Sequence, residues 1–146
     1  NTKREAIGEH TAYLMANLMQ GVVNSGTGVR LRAKYGLKGE IAGKTGTTND
    51  QSDGWFIGYT PSLTAGVWVG AEDRQVHFES LALGGGSNMA LPIWGLFMQK
   101  VLADGTLGID ENDRFMPSGV KLELNCDGSD ADASHVAQDD ESLYFD

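Results

Sequence analysis

Four consecutive residues, Lys44, Thr45, Gly46 and Thr47, combine the groups in this sequence that are best suited to chemistry. They supply one ammonium group, two hydroxyl groups and one residue without a side chain. A strand at the edge of a sheet can bind an extended peptide through backbone hydrogen bonds, and a glycine lets that peptide lie flat against the strand. The pattern is compatible with a peptide-binding strand. A structural alternative is a strand that ends in a turn.

Three strand-like runs are present, and the first of them contains these residues. They lie at 40–47, 55–60 and 63–69. The connection between the second and third runs is short, as in an antiparallel hairpin, so a three-stranded antiparallel meander is predicted. The aromatic residues Trp55, Phe56 and Tyr59 are predicted to pack in the core or on a strand face, because strands favour aromatic side chains.

Two helices are predicted on either side of the meander. Residues 11–23 have the apolar spacing of an amphipathic helix, with Thr11 as the predicted N-cap. Residues 89–102 predict a second helix, with Pro92 near the first turn, where proline is tolerated. The order helix, three strands, helix predicts an α+β fold, in which an antiparallel sheet has both helices packed on one face.

The acidic charge is confined to one end of the chain. The net charge is −9, but residues 1–103 hold nine Lys or Arg against eight Asp or Glu, whereas residues 104–146 hold two against twelve. We therefore predict a main unit at 1–103 and an acidic, partly disordered extension at 104–146, in which the polar, acidic segment 127–142 is predicted to be disordered. With no basic stripe to offset the acidic end, nucleic-acid binding is not expected.

Neither a metal site nor a cofactor site is predicted. The single cysteine, Cys126, has no metal-ligand spacing around it. The three histidines, His10, His77 and His135, lie far apart and form no HExxH or HxxxH pattern. The basic residues Arg30, Arg32 and Lys34 could attract an anionic peptide or glycan, but they are interpreted as a solvated loop.

Lys-Thr-Gly is one of the three motifs of the penicillin-interacting serine enzymes, alongside SxxK and SxN or SDN. Here it stands in GKTGTTND, followed by DGWFIGYTP, preceded by AYLMANLMQGVVNSGTG and followed further on by GGGSNMALPIWGLFMQKVL. These segments resemble the C-terminal part of the transpeptidase domain of class A, bifunctional penicillin-binding proteins. The resemblance covers about residues 8–103. It implies the C-terminal lobe of a β-lactamase/transpeptidase-like fold.

The resemblance also implies a role for each residue of the motif. The backbone N–H of Thr47 would be one of two oxyanion-hole donors. The hydroxyls of Thr45 and Thr47 would bind the terminal carboxylate of a D-Ala-D-Ala stem peptide or of a β-lactam, while Gly46 leaves room for the acyl donor. Lys44 would keep the site positively charged and help proton transfer. Lys44 and Thr47 are thus the predicted catalytic residues, and Thr45, Gly46 and Thr47 the predicted substrate-binding residues.

Two of the three motifs are missing. A transpeptidase needs the SxxK serine as nucleophile, and this chain has neither SxN nor SDN. Its one SxxK, at 118–121, follows the motif instead of preceding it and opens a run, 119–125, that alternates like a strand. The side chains of Ser118 and Lys121 would then point to opposite faces, so we do not assign Ser118 as the nucleophile. Both motifs are expected before residue 1, and the chain alone is predicted to be inactive.

Three functions are compatible with these motifs. The first is a part of a peptidoglycan D,D-transpeptidase that cross-links stem peptides through a serine acyl-enzyme and binds penicillin. The second is a part of a class B penicillin-binding protein or of a serine β-lactamase. The third is a non-catalytic module that senses β-lactams or has a structural role only. The Thr-Thr-Asn after Lys-Thr-Gly and the ending GYTP favour class A, and therefore the first.

The resemblance implies partners and a location. The partners are stem peptides ending in D-Ala-D-Ala, β-lactams and the upstream half of the transpeptidase domain. The site would lie at the periplasmic, extracytoplasmic face of the bacterial inner membrane, anchored by a segment outside this chain, because the apolar run 89–102 is too short for a membrane span. A surface that the upstream half normally covers would be exposed, which predicts self-association of the isolated chain.

Overall fold

A computed structural model describes residues 6–115, in which three strands lie between helices. The elements are α1 (Glu9–Asn24), α2 (Arg30–Ala33), β1 (Ala42–Thr47), a 3-10 turn (Asn49–Gln51), β2 (Asp53–Tyr59), β3 (Thr64–Gly70), α3 (Leu81–Gly84) and α4 (Ala90–Ala103). The strands form one sheet in the order β1-β2-β3, and both pairs are antiparallel. The predicted α+β fold is confirmed. The strand predicted at 119–125 and the disorder predicted at 127–142 lie outside the described residues.

The strands alternate between two faces. Gly54, Phe56 and Gly58 of β2 are buried, whereas the intervening Trp55 and Ile57 are exposed. This period of two follows from the strand geometry. We call the Phe56 side the core face, and the side that carries Trp55, Ile57 and Trp68 the tryptophan face. Only the core face is covered by α4.

The core forms where α4 packs on β2 and β3. The indole of Trp94 is fully buried and stands edge-on to Phe56, with 5.3 Å between the ring centroids. Its Nε1–H donates to the carbonyl oxygen of Ala65 at 3.0 Å, so the buried polar atom of the ring is satisfied. Leu91 and Met98, one turn before and after Trp94, are also fully buried. The buried residues of α4 therefore lie on a single contact face.

The position of the first helix differs from the prediction in two respects. The N-cap is Gly8, not Thr11, and no side chain caps the helix. The cap is three residues earlier because the chain is still extended at Gly8 and turns helical at Glu9, so that the Ala12 N–H donates to the Gly8 carbonyl. The prediction of Thr11 as N-cap is therefore wrong.

The two long helices do not share one face. The first turns of α1 border a groove with Tyr59 and Thr64, whose positions in the strand register belong to the tryptophan face. Its last turn reaches round the edge strand β1 and contributes Val23 to the core. Helix α1 thus packs along β1, while α4 packs on β2 and β3. The expectation that both helices cover one face is wrong. Because β1 is the outer strand of the sheet, α1 can extend along it from the tryptophan face to the core face.

The residues after α4 return to the sheet. Ser62 Oγ donates to Asp113 Oδ2 at 2.6 Å, and the Phe115 N–H donates to Glu40 Oε2 at 2.7 Å. The ring of Phe115 lies edge-on to Tyr59 at 5.6 Å. Residues 104–115, the described part of the acidic extension, therefore contact the main unit.

The approach of α4 to the sheet requires a glycine at position 58. A Cβ there would lie 2.6 Å from Cζ2 of Trp94 and 2.8 Å from Cε1 of Phe56. We expect Gly58→Ala to lower the free energy of unfolding by about 1–3 kcal/mol through overpacking, measured by urea denaturation. The matched control is Gly66→Ala on β3, whose new Cβ would meet only Ile57 Cγ1 at 3.5 Å. Equal effects of the two substitutions would contradict the proposed close contact.

Candidate functional site

The residues 44–47 lie on the edge strand β1. Of these, Lys44 and Thr47 are exposed, and Thr45 and Gly46 are half-buried. The N–H of Thr48 donates to the carbonyl of Asp53 at 3.1 Å, so Thr48 faces β2. Because backbone groups alternate in an antiparallel ladder, the N–H and C=O groups of Thr45 and Thr47 point to the free edge. This edge can accept an added strand.

The side chains of these residues lie on both faces of the sheet. Thr45 and Thr47 pair with Phe56 and Gly54 and so lie on the core face, whereas Lys44 pairs with Ile57 on the tryptophan face. The Nζ of Lys44 donates to the Thr45 carbonyl at 2.9 Å. Since that carbonyl points to the free edge, the ammonium group also lies at the edge. The edge therefore carries one cation, two hydroxyls and backbone donors that no strand within residues 6–115 pairs with.

Each threonine hydroxyl has a partner that sequence reasoning missed. Thr45 Oγ1 lies 3.0 Å from Thr27 Oγ1, in the turn after α1. Thr47 Oγ1 accepts a hydrogen bond from the N–H of Gly86 at 3.0 Å, in the loop before α4. These contacts span 18 and 39 residues. The only hint in the sequence was the presence of two glycine-rich segments, which permit close backbone approach.

The end of β1 is fixed by the turn that follows it. Thr48 Oγ1 accepts from the Asp53 N–H at 3.0 Å and lies 2.9 Å from Ser52 Oγ. Within this turn Asp50 and Gln51 have φ values of 57° and 53°, which non-glycine residues adopt uncommonly. The turn is therefore a specific local structure next to the site.

The basic residues before β1 have different roles. Arg30 and Arg32 lie in the short helix α2, which was not expected in the predicted loop. The prediction that Arg32 lies in a solvated loop is wrong. Its guanidinium donates to the carbonyls of Leu37 at 2.9 Å and Gly39 at 2.8 Å and to the side chain of Asn24. Burial lowers the pKa of Arg32 from its usual value. Lys34 is exposed, as expected.

The aromatic residues of β2 are divided between the two faces. Phe56 is fully buried in the core, as predicted. Trp55 is 44% exposed on the tryptophan face, together with Ile57 at 47% and Trp68 at 46%. The rings of Trp55 and Trp68 are 6.4 Å apart. Three large apolar side chains thus stand on the same face as Lys44, and the described part of the chain leaves them about half exposed.

Within residues 6–115, no group of three or more His, Cys, Asp or Glu side chains is arranged to hold a metal ion. None of the helices in this described part combines the length and the hydrophobicity that a membrane span requires.

Comparison with known proteins identifies the family. Residues 1–80 match the model of the penicillin binding protein transpeptidase domain. The chain is 42% identical over 101 residues to penicillin-binding protein 1A of Pseudomonas aeruginosa, covering 67% of this chain and 11% of that protein. It is 39% identical over 102 residues to penicillin-binding protein 1A of Neisseria cinerea, covering 69% and 12%. For penicillin-binding protein 1A of Neisseria meningitidis the identity is 37% over 116 residues, covering 80% and 13%.

The chain therefore belongs to the penicillin-binding protein transpeptidase family, and its resemblance to part of a class A transpeptidase domain is confirmed. It spans only 11–13% of the length of these curated relatives.

The network around Arg32 is expected to hold the segment between α1 and β1. We expect Arg32→Lys to lower the free energy of unfolding by about 1–3 kcal/mol, because an ammonium cannot replace the guanidinium at three acceptors. Urea denaturation measures this effect. The control is Arg30→Lys, since Arg30 makes one hydrogen bond, to the Ser87 carbonyl; it should change stability by less than about 0.5 kcal/mol. If Arg32→Lys and Arg30→Lys had the same free energy of unfolding, Arg32 would have no such structural role.

Proposed function

We propose that this chain is part of a D,D-transpeptidase that cross-links peptidoglycan stem peptides and is acylated by penicillin. One observation carries the proposal. In a chain of the transpeptidase family, the free edge of β1 carries the Lys44 ammonium, the Thr45 and Thr47 hydroxyls and outward backbone N–H groups. That set of groups matches an extended peptide that ends in a carboxylate.

Each group of the edge has a proposed task. The outward N–H of Thr47 stabilises the oxyanion that forms when the acyl carbonyl is attacked. The hydroxyls of Thr45 and Thr47 bind the terminal carboxylate, and the absence of a side chain at Gly46 lets the donor peptide lie along the strand. Lys44 provides positive charge near that carboxylate and assists proton transfer at the serine nucleophile.

The reaction that we propose has two steps. The oxygen of a serine attacks the carbonyl carbon of the penultimate D-Ala, the amide bond breaks, and the terminal D-Ala leaves with a proton on its nitrogen. An amine of a neighbouring stem peptide then attacks the serine ester, and the serine oxygen leaves and recovers its proton. In a β-lactam the broken amide is part of the ring, so the leaving group stays attached. No cofactor takes part.

The serine is proposed to come from sequence that precedes this chain in the longer protein. Two facts support this: no SxxK precedes Lys44 here, and the chain corresponds to about an eighth of its relatives' length. The upstream half of the domain would cover the tryptophan face. The site would work at the periplasmic side of the inner membrane, where peptidoglycan is built, and an anchor elsewhere in the protein would hold it there.

Labelling with fluorescent penicillin tests the proposed activity. We expect the full-length protein to be labelled and the present 146-residue chain to remain unlabelled. In the full-length protein, Lys44→Ala should slow labelling by at least about tenfold, because it removes the cation of the site. A Lys100→Ala variant, which removes an exposed lysine of α4, serves as control and should label at the normal rate.

Two results would contradict this account. If the full-length protein were not labelled, a sensing or structural module would be the better interpretation. If the 146-residue chain were labelled and Ser118→Ala abolished the label, the nucleophile would be Ser118. Ser118 lies outside the described residues.

The tryptophan face is expected to make the isolated chain associate with itself. Exposed apolar surface of this kind is uncommon on monomeric proteins. We expect Trp68→Asp to reduce the average mass seen by light scattering at high concentration and to weaken binding of a separately expressed upstream half. The control is Leu107→Asp, which places the same charge at a 52% exposed apolar residue outside the sheet. An isolated chain that is already monomeric at high concentration would contradict the prediction.

A further inference from the structure

Thr27 lies at the site, but it belongs neither to β1 nor to the Lys-Thr-Gly motif. Its side chain is exposed, and its hydroxyl is 3.0 Å from that of Thr45. Geometry alone allows either hydroxyl to be the donor. Two observations indicate which hydroxyl donates: the structure of the turn that carries Thr27, and the hydrogen bond that the neighbouring Thr47 hydroxyl accepts.

The turn is held tightly against the end of α1. The N–H groups of Gly26 and Gly28 both donate to the Val22 carbonyl, at 3.1 and 2.9 Å. A Cβ at Gly26 would lie 2.9 Å from Val22 Cα, and one at Gly28 would lie 3.1 Å from the Val22 carbonyl oxygen. Thr27 is therefore the one residue of this three-residue turn that can carry a side chain without a close backbone contact. The turn directs that side chain to β1.

Thr47 shows how a neighbouring donor prepares a hydroxyl. The Gly86 N–H can only donate, so Thr47 Oγ1 accepts this bond. A hydroxyl has one proton to donate and two lone pairs to accept with. With one lone pair occupied by Gly86, the Thr47 proton remains available for an acceptor at the free edge. A carboxylate is such an acceptor, and it cannot itself donate.

We propose that Thr27 does the same for Thr45: its hydroxyl donates to Thr45 Oγ1 and so orients the Thr45 proton toward the substrate carboxylate. Thr27 is thus a positioning residue of the carboxylate subsite. Both hydroxyls of the motif would then accept on one side and donate to the anion on the other. In such a chain each hydrogen bond polarises the next. The inference rests on the proposed transpeptidase function and extends it to a residue outside the motif.

The test uses the full-length protein and two forms of one β-lactam. We compare the second-order rate constant of acylation by benzylpenicillin with that by its methyl ester, which lacks the carboxylate charge. Thr27→Val keeps the shape of the side chain and removes the hydroxyl. It should slow acylation by benzylpenicillin about three- to tenfold and leave the rate with the ester unchanged. Thr27→Ser, which restores a hydroxyl, should react with benzylpenicillin at nearly the normal rate.

A double-mutant cycle checks that Thr27 acts through Thr45. In a Thr45→Val background, Thr27→Val should have no further effect on the reaction with benzylpenicillin, since the hydroxyl that it orients is gone. Additive losses would overturn the proposal. An unchanged rate for Thr27→Val, or an equal loss with acid and ester, would also overturn it, the latter by indicating a purely structural bond. A wild-type protein that no β-lactam acylates would contradict the proposed function itself, and this inference with it.

Discussion

The contact between the indole of Trp94 and the backbone of Gly58 is the constraint on which the rest of the structure depends. A side chain at position 58 would collide with the indole, and a Cβ at its partner Gly43 would lie 2.9 Å from the Phe56 ring. The glycine pair therefore lets α4 and Phe56 pack against the strands without a gap. Because Trp94 also bonds the Ala65 carbonyl on β3, one side chain fixes the helix against two strands. Strand β1 continues from Gly43 directly into Lys44 and the site.

A second glycine contact brings the loop before α4 to the same strand. A Cβ on Gly86 would lie 2.2 Å from the Gly46 carbonyl oxygen, so no other residue fits there without a shift. This approach puts the Gly86 N–H within reach of Thr47. The turn at 26–28 does the equivalent for Thr45. Packing by glycine thus serves the site twice, because each close backbone approach places a polar group beside a hydroxyl of β1.

The sequence was sufficient to predict the parts of the fold that local patterns determine. The bounds of the three strands and of α1 and α4 differ from the predictions by two residues at most, because the alternating and helical spacings of apolar residues reflect which side of an element is buried. The faces of α1 could not be predicted in this way. Leu18 remains 66% exposed and Met15 43% exposed, so its apolar pattern describes a surface that this chain does not cover. The contacts of Thr27 and Gly86 join segments far apart in sequence, and no local pattern encodes such pairs.

The arrangement of β1 has a consequence for how a complete site must be assembled. Thr45 and Thr47 lie on the core face, which this chain completes by itself with α4 and the loops at 26–28 and 84–86. Lys44 lies on the tryptophan face, beside Ile57, where large apolar side chains are exposed. In the proposed site the Lys44 ammonium lies at the free edge of β1, on the side of the tryptophan face. We infer that the nucleophile approaches that edge, and that burial of Trp55 and Trp68 contributes free energy to the approach. Under the proposed function, the carboxylate subsite and Lys44 thus depend on different halves of the domain, and the residues described here form only the first.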